Sequence, residues 1–248
     1  MPNHYYLIIP ASGVGTRMHS EKDGLDWQAK IPKQYLKLDN RLTILDQTLK
    51  TLLSIDQIKG YVIAIAKEDR LFAKSTFNNH PKLLTTVIGG KERMNSVINA
   101  LKELINFAKN DDWILVHDSA RPCVKTSEII NLMNQLKYHA TGGLLATKVV
   151  DTIKQANNNI VNTTIDRSNL WQAQTPQMYR FGILLKAFNT AIKDGINTTD
   201  EASAIEHLGL ESILVKSSRS NIKITNPEDL ALANFYLTRY QKTFNPRH

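Results

Sequence analysis

The sequence predicts an α/β fold: a mainly parallel sheet covered by helices on both faces, with a β-arm projecting from it. Three observations predict this. Short apolar runs alternate with stretches whose apolar residues recur at helical spacing, the pattern of parallel strands joined by crossover helices. The first such run, Tyr6 to Ile9, leads straight into a glycine-bearing turn. The alternation then breaks once, between Lys148 and Asp166, where two β-branched runs flank a polar turn.

In chain order, Tyr6 to Ile9 reads as a buried strand because consecutive apolar residues leave it no polar face. Pro10-Ala11-Ser12-Gly13-Val14-Gly15-Thr16-Arg17-Met18 follows. Small residues there let the backbone N–H groups of Ala11, Ser12, Gly13 and Gly15 approach a phosphate, and Arg17 adds fixed positive charge. Two common phosphate loops do not fit. G-x-x-x-x-G-K-[S/T] fails because Met18 and Ser20 stand where its second glycine should be, and G-x-G-x-x-G fails at Met18. What remains is Gly13-x-Gly15-Thr16-Arg17 with Pro32-Lys33-Gln34-Tyr35 downstream, where Lys33 supplies a second cation.

Leu45, Leu49, Leu52 and Leu53 then mark a helix, and Tyr61–Ala66 and Thr85–Ile88 two strands. Gly89-Gly90 opens a helix at about Lys91. Trp113–His117 reads as a strand with Asp118 at its carboxyl end, where open α/β sheets take their ligands. Ile129, Leu132, Met133 and Leu136 form a helical stripe, and Leu144–Thr147 a further strand. In the arm, Val149, Val150 and Ile153 face Ile160, Val161 and Ile165 across the turn Gln155–Asn159. A lone two-stranded hairpin is marginal in water, so it should pack on its own domain or on a second copy. Thr198 with Glu201 fits a capping box, and Asn226-Pro227-Glu228-Asp229 the start of a last helix. Residues 1–147 and 168–240 should therefore be the core, 148–167 the arm, and 241–248 a frayed tail.

Composition narrows the class. The 248 residues, 42% hydrophobic, suit one α/β domain with a full core. No apolar run approaches the roughly 20 residues a membrane span needs, and the start has no basic-then-apolar leader. The single cysteine, Cys123, fits a reducing cytoplasm and reads as a small buried filler rather than a nucleophile. No His or Cys cluster has zinc-ligand spacing. A net charge of +8 is spread along the chain; its densest stretch, Lys216 to Arg219, is short and has no interleaved aromatics. That argues for a solvated basic surface and positive potential for small anions rather than for nucleic acid.

Taken together, the motifs resemble those of the 2-C-methyl-D-erythritol 4-phosphate cytidylyltransferase family, within the nucleotidyltransferases. They are the Ala11–Met18 loop, Pro32-Lys33-Gln34, Gly89-Gly90-Lys91-Glu92-Arg93 with Ser96, and His117-Asp118-Ser119-Ala120-Arg121-Pro122. They continue with Asp151-Thr152, Asp166-Arg167, Thr175-Pro176-Gln177, Thr199-Asp200-Glu201-Ala202 and Asn221-Ile222-Lys223, so that the likeness runs from about Tyr5 to Tyr240. The resemblance implies a Rossmann-like nucleotidyltransferase fold and transfer of CMP from CTP to a polyol phosphate, with Mg²⁺ as cofactor. It also implies a cytoplasmic homodimer joined through the arm.

The resemblance further implies residue roles. Arg17 and Lys33 would stabilise the α-phosphate and the departing pyrophosphate, and Lys223 would hold the α-phosphate near the acceptor. Arg167 would grip the acceptor phosphate across the dimer. Ala11, Ser12, Gly13, Gly15, Gly90, Ser96, Asp118 and Ser119 would bind the nucleotide, with Asp118 also orienting the metal or a substrate hydroxyl. Asp118, Arg121, Thr152 and Thr175 would lie near the polyol, and His117 reads as a packed, structural histidine. The chain departs from the family pattern at Lys91, where an acidic residue is common, and in the long His19–Ile31 segment, polar enough for a lid and holding Trp27. Ribitol-5-phosphate cytidylyltransferase shares the chemistry and differs in the acceptor.

Overall fold

The protein is described here by a computed structural model covering residues 3–13 and 31–244. Strands β1 (Tyr5–Pro10), β2 (Ile58–Ile65), β3 (Leu83–Ile88) and β4 (Trp113–Val116) pair in parallel in the spatial order β3-β2-β1-β4. The chain therefore steps outward from β1 on one side and returns to its other side, which puts a topological switch point between the carboxyl ends of β1 and β4. β5 (Gly142–Lys148) belongs to the same sheet, whereas β6 (Ile153–Asn157) and β7 (Ile160–Ile165) form a separate antiparallel pair. β8 (Trp171–Arg180) runs between β4 and β5, antiparallel to both, and β9 (Ile213–Lys216) lies parallel to β5 at the far edge. Six of the seven strands thus share one direction.

Helices α1 (Ile44–Leu53) and α3 (Thr126–Leu136) cover one face; α2 (Arg93–Leu104) and α4 (Phe181–Lys193) cover the other. Side chains alternate across a strand, so β1 feeds both cores. Leu7 and Ile9 pack with Leu45, Leu49, Leu52, Ile129 and Leu132, while Tyr6 and Ile8 pack with Val97, Leu101, Leu184 and Phe188. A third cluster joins Leu38, Ile44, Ala120, Cys123, Ile224 and Ala233, and it seats α6 (Pro227–Phe244) against the loop after β4. Cys123 is fully buried, and burial pushes its thiol up to about 12, consistent with a filler and not with a nucleophile.

Several local expectations are corrected. The arm's turn is only Asn158-Asn159, both at positive φ, and Gln155 and Ala156 belong to the strand before it. Two left-handed residues suit the twist of a two-residue hairpin, and Asn tolerates that conformation. The short helix α5 (Glu201–His207) is capped by Asp200, whose carboxylate accepts the Ser203 N–H at 2.9 Å; Thr198 plays no part, and its buried hydroxyl has no partner among the described residues. α2 begins at Arg93 rather than Lys91. The Asp229 carboxylate, rather than Asn226, accepts the free N–H groups ahead of α6, those of Thr225 and Asn226, each at 2.8 Å. Among the described residues, no helix is long and apolar enough to cross a membrane.

Candidate active site

The switch point opens into a cleft of about 560 Å³, a volume typical of small-molecule sites. Its walls come from the end of β1 (Ser12, Gly13), the turn at Lys33 and Gln34, the segment Gly90–Arg93 with Ser96, the loop after β4 (Asp118, Ser119, Ala120), and Lys223 with Thr225.

Two hydrogen bonds explain why Pro32-Lys33-Gln34 accompanies the first loop. The buried Gln34 amide donates to Ala11 O at 2.6 Å, tying the single 3-10 turn Lys33–Tyr35 to the end of β1. Lys33 Nζ donates to Ile224 O at 2.7 Å, so its ammonium stands between that turn and the Lys223 segment. The Ala11 N–H continues the sheet by donating to Ala64 O at 2.7 Å, which removes it from the expected phosphate cradle. Ser12 and Gly13 line the cleft; Gly15, Arg17 and Trp27 lie outside the described residues.

Across the cleft, the Ser12 and Ser96 hydroxyls meet at 2.9 Å, and Gly90 N–H donates to Ser96 Oγ at 3.1 Å. A Cβ on Gly90 would collide with Asn95, and one on Gly89 with the Ser12 hydroxymethyl group, so this corner admits only glycine. Loop, glycine pair and helix start are thereby locked together.

Asp118 is the electrostatic centre. Its Oδ1 accepts from Arg93 Nε at 3.0 Å; its Oδ2 meets Lys223 Nζ at 3.0 Å and Arg121 Nε at 3.3 Å. Burial alone would raise its pKa, but Arg93, Lys223 and Arg121 outweigh that and hold it well below the usual carboxylate range. Arg93 also forks onto Glu201, Nη1 to Oε1 at 2.6 Å and Nη2 to Oε2 at 3.1 Å. Burial works against the Arg93 charge, yet Glu201 and Asp118 more than offset it and keep the guanidinium protonated.

A second layer supports Asp118 from below. Its N–H donates to Thr175 Oγ1 at 3.1 Å; that hydroxyl in turn donates to His117 Nδ1 at 3.1 Å, leaving His117 Nε2–H to donate to Arg121 O at 3.2 Å. Asn221, fully buried, donates to Thr175 O at 2.8 Å, and Arg121 Nη1 donates to Asn221 O at 2.7 Å. Thr175 is buried and supports Asp118 from below through the bonds its hydroxyl makes to the Asp118 N–H and to His117. Arg121 orders this loop and does not line the cleft, and His117 is packed and structural, as expected from the sequence.

Thr152 and Arg167 are exposed at the base of the arm and do not join the cleft of their own chain. The arm leaves Val150, Ile160 and Val161 between 52% and 70% exposed, apolar surface that β6 and β7 cannot cover. Arg93 and Glu201 escaped assignment although their motifs were visible. Arg93 could have been found as an arginine opening a helix right after the glycine pair, whereas Glu201 was hidden by its fit to a capping box with Thr198 that the structure gives to Asp200 instead.

As a metal cage the site is poor. Among the described residues, no three ligating side chains cluster; of the two acids that line the cleft, Glu92 is exposed and Asp118 already faces three cations. An inner-sphere divalent ion at Asp118 would add two positive charges to that crowd.

The chain matches the 2-C-methyl-D-erythritol 4-phosphate cytidylyltransferase family over residues 5–239. It is 83% identical over 242 residues to that enzyme from Ruthia magnifica, covering 98% of this chain and all of that protein. The Vibrio vulnificus counterpart is 44% identical over 233 residues, 94% of each chain. The crystal structure of the Francisella tularensis enzyme, 42% identical, superimposes with a TM-score of 0.80 over 94% of this chain and all of that one.

Proposed function

The chain belongs to the 2-C-methyl-D-erythritol 4-phosphate cytidylyltransferase family, and we propose on that premise that it transfers CMP from CTP to 2-C-methyl-D-erythritol 4-phosphate. The products are 4-diphosphocytidyl-2-C-methyl-D-erythritol and pyrophosphate, in the non-mevalonate route to isoprenoid precursors. An oxygen of the acceptor phosphate attacks the α-phosphorus of CTP in line, and the bond to the β-phosphate oxygen breaks. The nucleophile is already an anion, so no Ser–His or Cys–His pair is needed. What the reaction lacks in water is a way to bring two polyanions together; preplaced cations and amides provide it.

The observation that carries this reading is the set of cations, Lys33, Lys91, Arg93 and Lys223, around one cleft at the switch point. Lys33, with Arg17, would stabilise the pentavalent α-phosphate and the leaving pyrophosphate. Lys223 would hold the α-phosphate close to the acceptor. Ser12, Gly13, Gly15, Gly90 and Ser96 would bind the nucleotide, the Gly90 corner taking the base edge-on. Asp118 and Ser119 would orient the ribose or acceptor hydroxyls. Any Mg²⁺ would arrive on the triphosphate oxygens, with Asp118 touching it at most through water.

The arm would join two copies, and its uncovered Val150, Ile160 and Val161 support that. Arg167 and Thr152 would then grip the acceptor in the neighbouring subunit's cleft. A cytoplasmic location would suit a chain with a single cysteine and so no internal disulfide.

The test is pyrophosphate release from CTP, ATP, GTP and UTP, each offered 2-C-methyl-D-erythritol 4-phosphate or ribitol 5-phosphate. CTP with the methylerythritol acceptor should dominate. A preference for ribitol 5-phosphate would reassign the acceptor, and turnover that ignores the base would remove the role given to the Gly90 corner.

A further inference from the structure

Glu201 is a fully buried carboxylate that does not itself line the cleft and reaches it only through Arg93. A lone buried charge is costly, so its presence calls for a reason. Asp200, not Glu201, caps α5. The α5 start is held independently: the Ala202 N–H donates to Gln177 Oε1 at 2.8 Å, and Gln177 Nε2 donates to Asp200 Oδ2 at 2.8 Å. Neither the cap nor that anchor uses the Glu201 carboxylate. Both of its oxygens are instead spent on one group, the Arg93 guanidinium.

The geometry of that fork has a consequence. A guanidinium is planar and rigid, with donors on two adjacent edges. Clamping Nη1 and Nη2 onto Glu201 fixes the plane, and this fixes the direction of the remaining donor, Nε–H. That donor is aimed at Asp118 Oδ1 at 3.0 Å. Arg93 stands at the first turn of α2, Asp118 follows β4 and Glu201 opens α5, so the three-residue chain spans elements that the sheet alone does not hold in register.

We propose that Glu201 is a positioning residue for the transfer: its fork on Arg93 fixes how the Asp118 carboxylate faces the cleft and, through Asp118 Oδ2, where the Lys223 ammonium stands. Without the fork, Arg93 is free to turn its own two-donor edge onto Asp118. The carboxylate then rotates, and Lys223 loses its 3.0 Å partner and its place. The substrates still bind, because the nucleotide corner at Ser12, Gly90 and Ser96 is untouched. Alignment of the reacting phosphates is what suffers.

This inference rests on the proposed cytidylyl transfer, and a double-mutant cycle separates the two. Wild type, Glu201→Gln, Asp118→Asn and the double variant are assayed for kcat and for both KM values, with thermal unfolding as a control on folding. Glu201→Gln should lower kcat by about tenfold or more and change each KM by less than about threefold. In the Asp118→Asn background, the same change should cost less than about threefold in kcat, because the group through which Glu201 acts is already gone. Equal fractional losses in both backgrounds, or a raised KM with kcat intact, overturn it; a support for the fold alone would act in both backgrounds alike. Should Glu201→Gln fail to unfold cooperatively, Arg93→Lys is read the same way. It keeps the charge but has one nitrogen to serve two carboxylates, so its kcat loss should also fade beside Asp118→Asn, and an additive loss overturns the inference. A wild type with no turnover defeats the cytidylyl-transfer reading and takes this inference with it. Turnover with an additive cycle defeats only the role of Glu201.

Discussion

Burial holds the His117 imidazole neutral, its pKa pushed down to about 4. The unfolded chain binds that proton near pH 6.5 and the folded chain does not, so the unfolded state gains protons first as pH falls. The stabilisation is therefore complete above about pH 6.5 and fades as pH drops toward 4, by an amount on the order of 3 kcal/mol. Urea unfolding at pH 7 and pH 4.5 should show the loss, and His117→Gln should remove most of the difference; an unchanged difference in that variant would place the effect elsewhere. In the proposed transfer, Lys33 acts on rate more than on the fold. Removing one preplaced transition-state donor typically costs about 3–4 kcal/mol, so Lys33→Ala should lower kcat by about two to three orders of magnitude while the CTP KM moves far less. Near-normal turnover would contradict its role. At this scale the sequence was informative about residue type and silent about depth. Thr175 and Asp118 are both polar residues in motifs, but only the folded chain places one beneath the other.

Elements differ in how much of themselves they write into the chain. β1, β2 and β4 are runs of apolar residues, buried on both faces, and were readable for that reason. β8 was not. It carries Gln172, Gln174, Gln177 and a proline, a poor advertisement for a central strand. Gln174, Thr175 and Pro176 have no register partner on β4 or β5, so the proline occupies an irregularity in the ladder where no N–H is required of it. The same irregularity is what turns Thr175 toward Asp118 and His117. The arm was legible as a hairpin, but its turn was drawn too wide because polar Gln155 looks like a turn residue and sits on an exposed strand. Val161 is 56% exposed there. If the arm joins two copies, Val161→Asp should give a monomer by light scattering at micromolar concentration, with the melting of the core nearly unchanged and the acceptor KM raised. A wild-type protein that is already monomeric would undo the cross-subunit role of Arg167.

For the molecule as a whole, the division of the hydrophobic residues into two large clusters on either side of one sheet governs stability. Leu7 lies in the middle of that sheet, completely buried between β2 and β4. Leu7→Ala should destabilise the fold by about 2–5 kcal/mol, measurable as a lower urea midpoint, since close-packed neighbours collapse only partly into the space left. A change below about 1 kcal/mol would mean that the β1 region is far more plastic than its packing implies. Whole-molecule charge, by contrast, said little: the +8 balance is compatible with many partners, and only the convergence of Lys33, Arg93, Arg121 and Lys223 on one place gives it meaning.

β1 sends large apolar side chains into both cores, and this leaves its alignment with β2 and β4 unguarded by polarity. A strand with one wet face cannot slide by a residue without exposing oil and burying charge. Leu7, Ile8 and Ile9 could trade faces at the expense of fit alone, and only Tyr6, whose hydroxyl donates to Phe107 O at 2.9 Å, would lose a polar partner as well. What does notice a slip is the far end, where Ser12 would swing away from Ser96 and the Ala11 carbonyl from Gln34. In this molecule the chemistry, more than the interior, keeps the first strand in step.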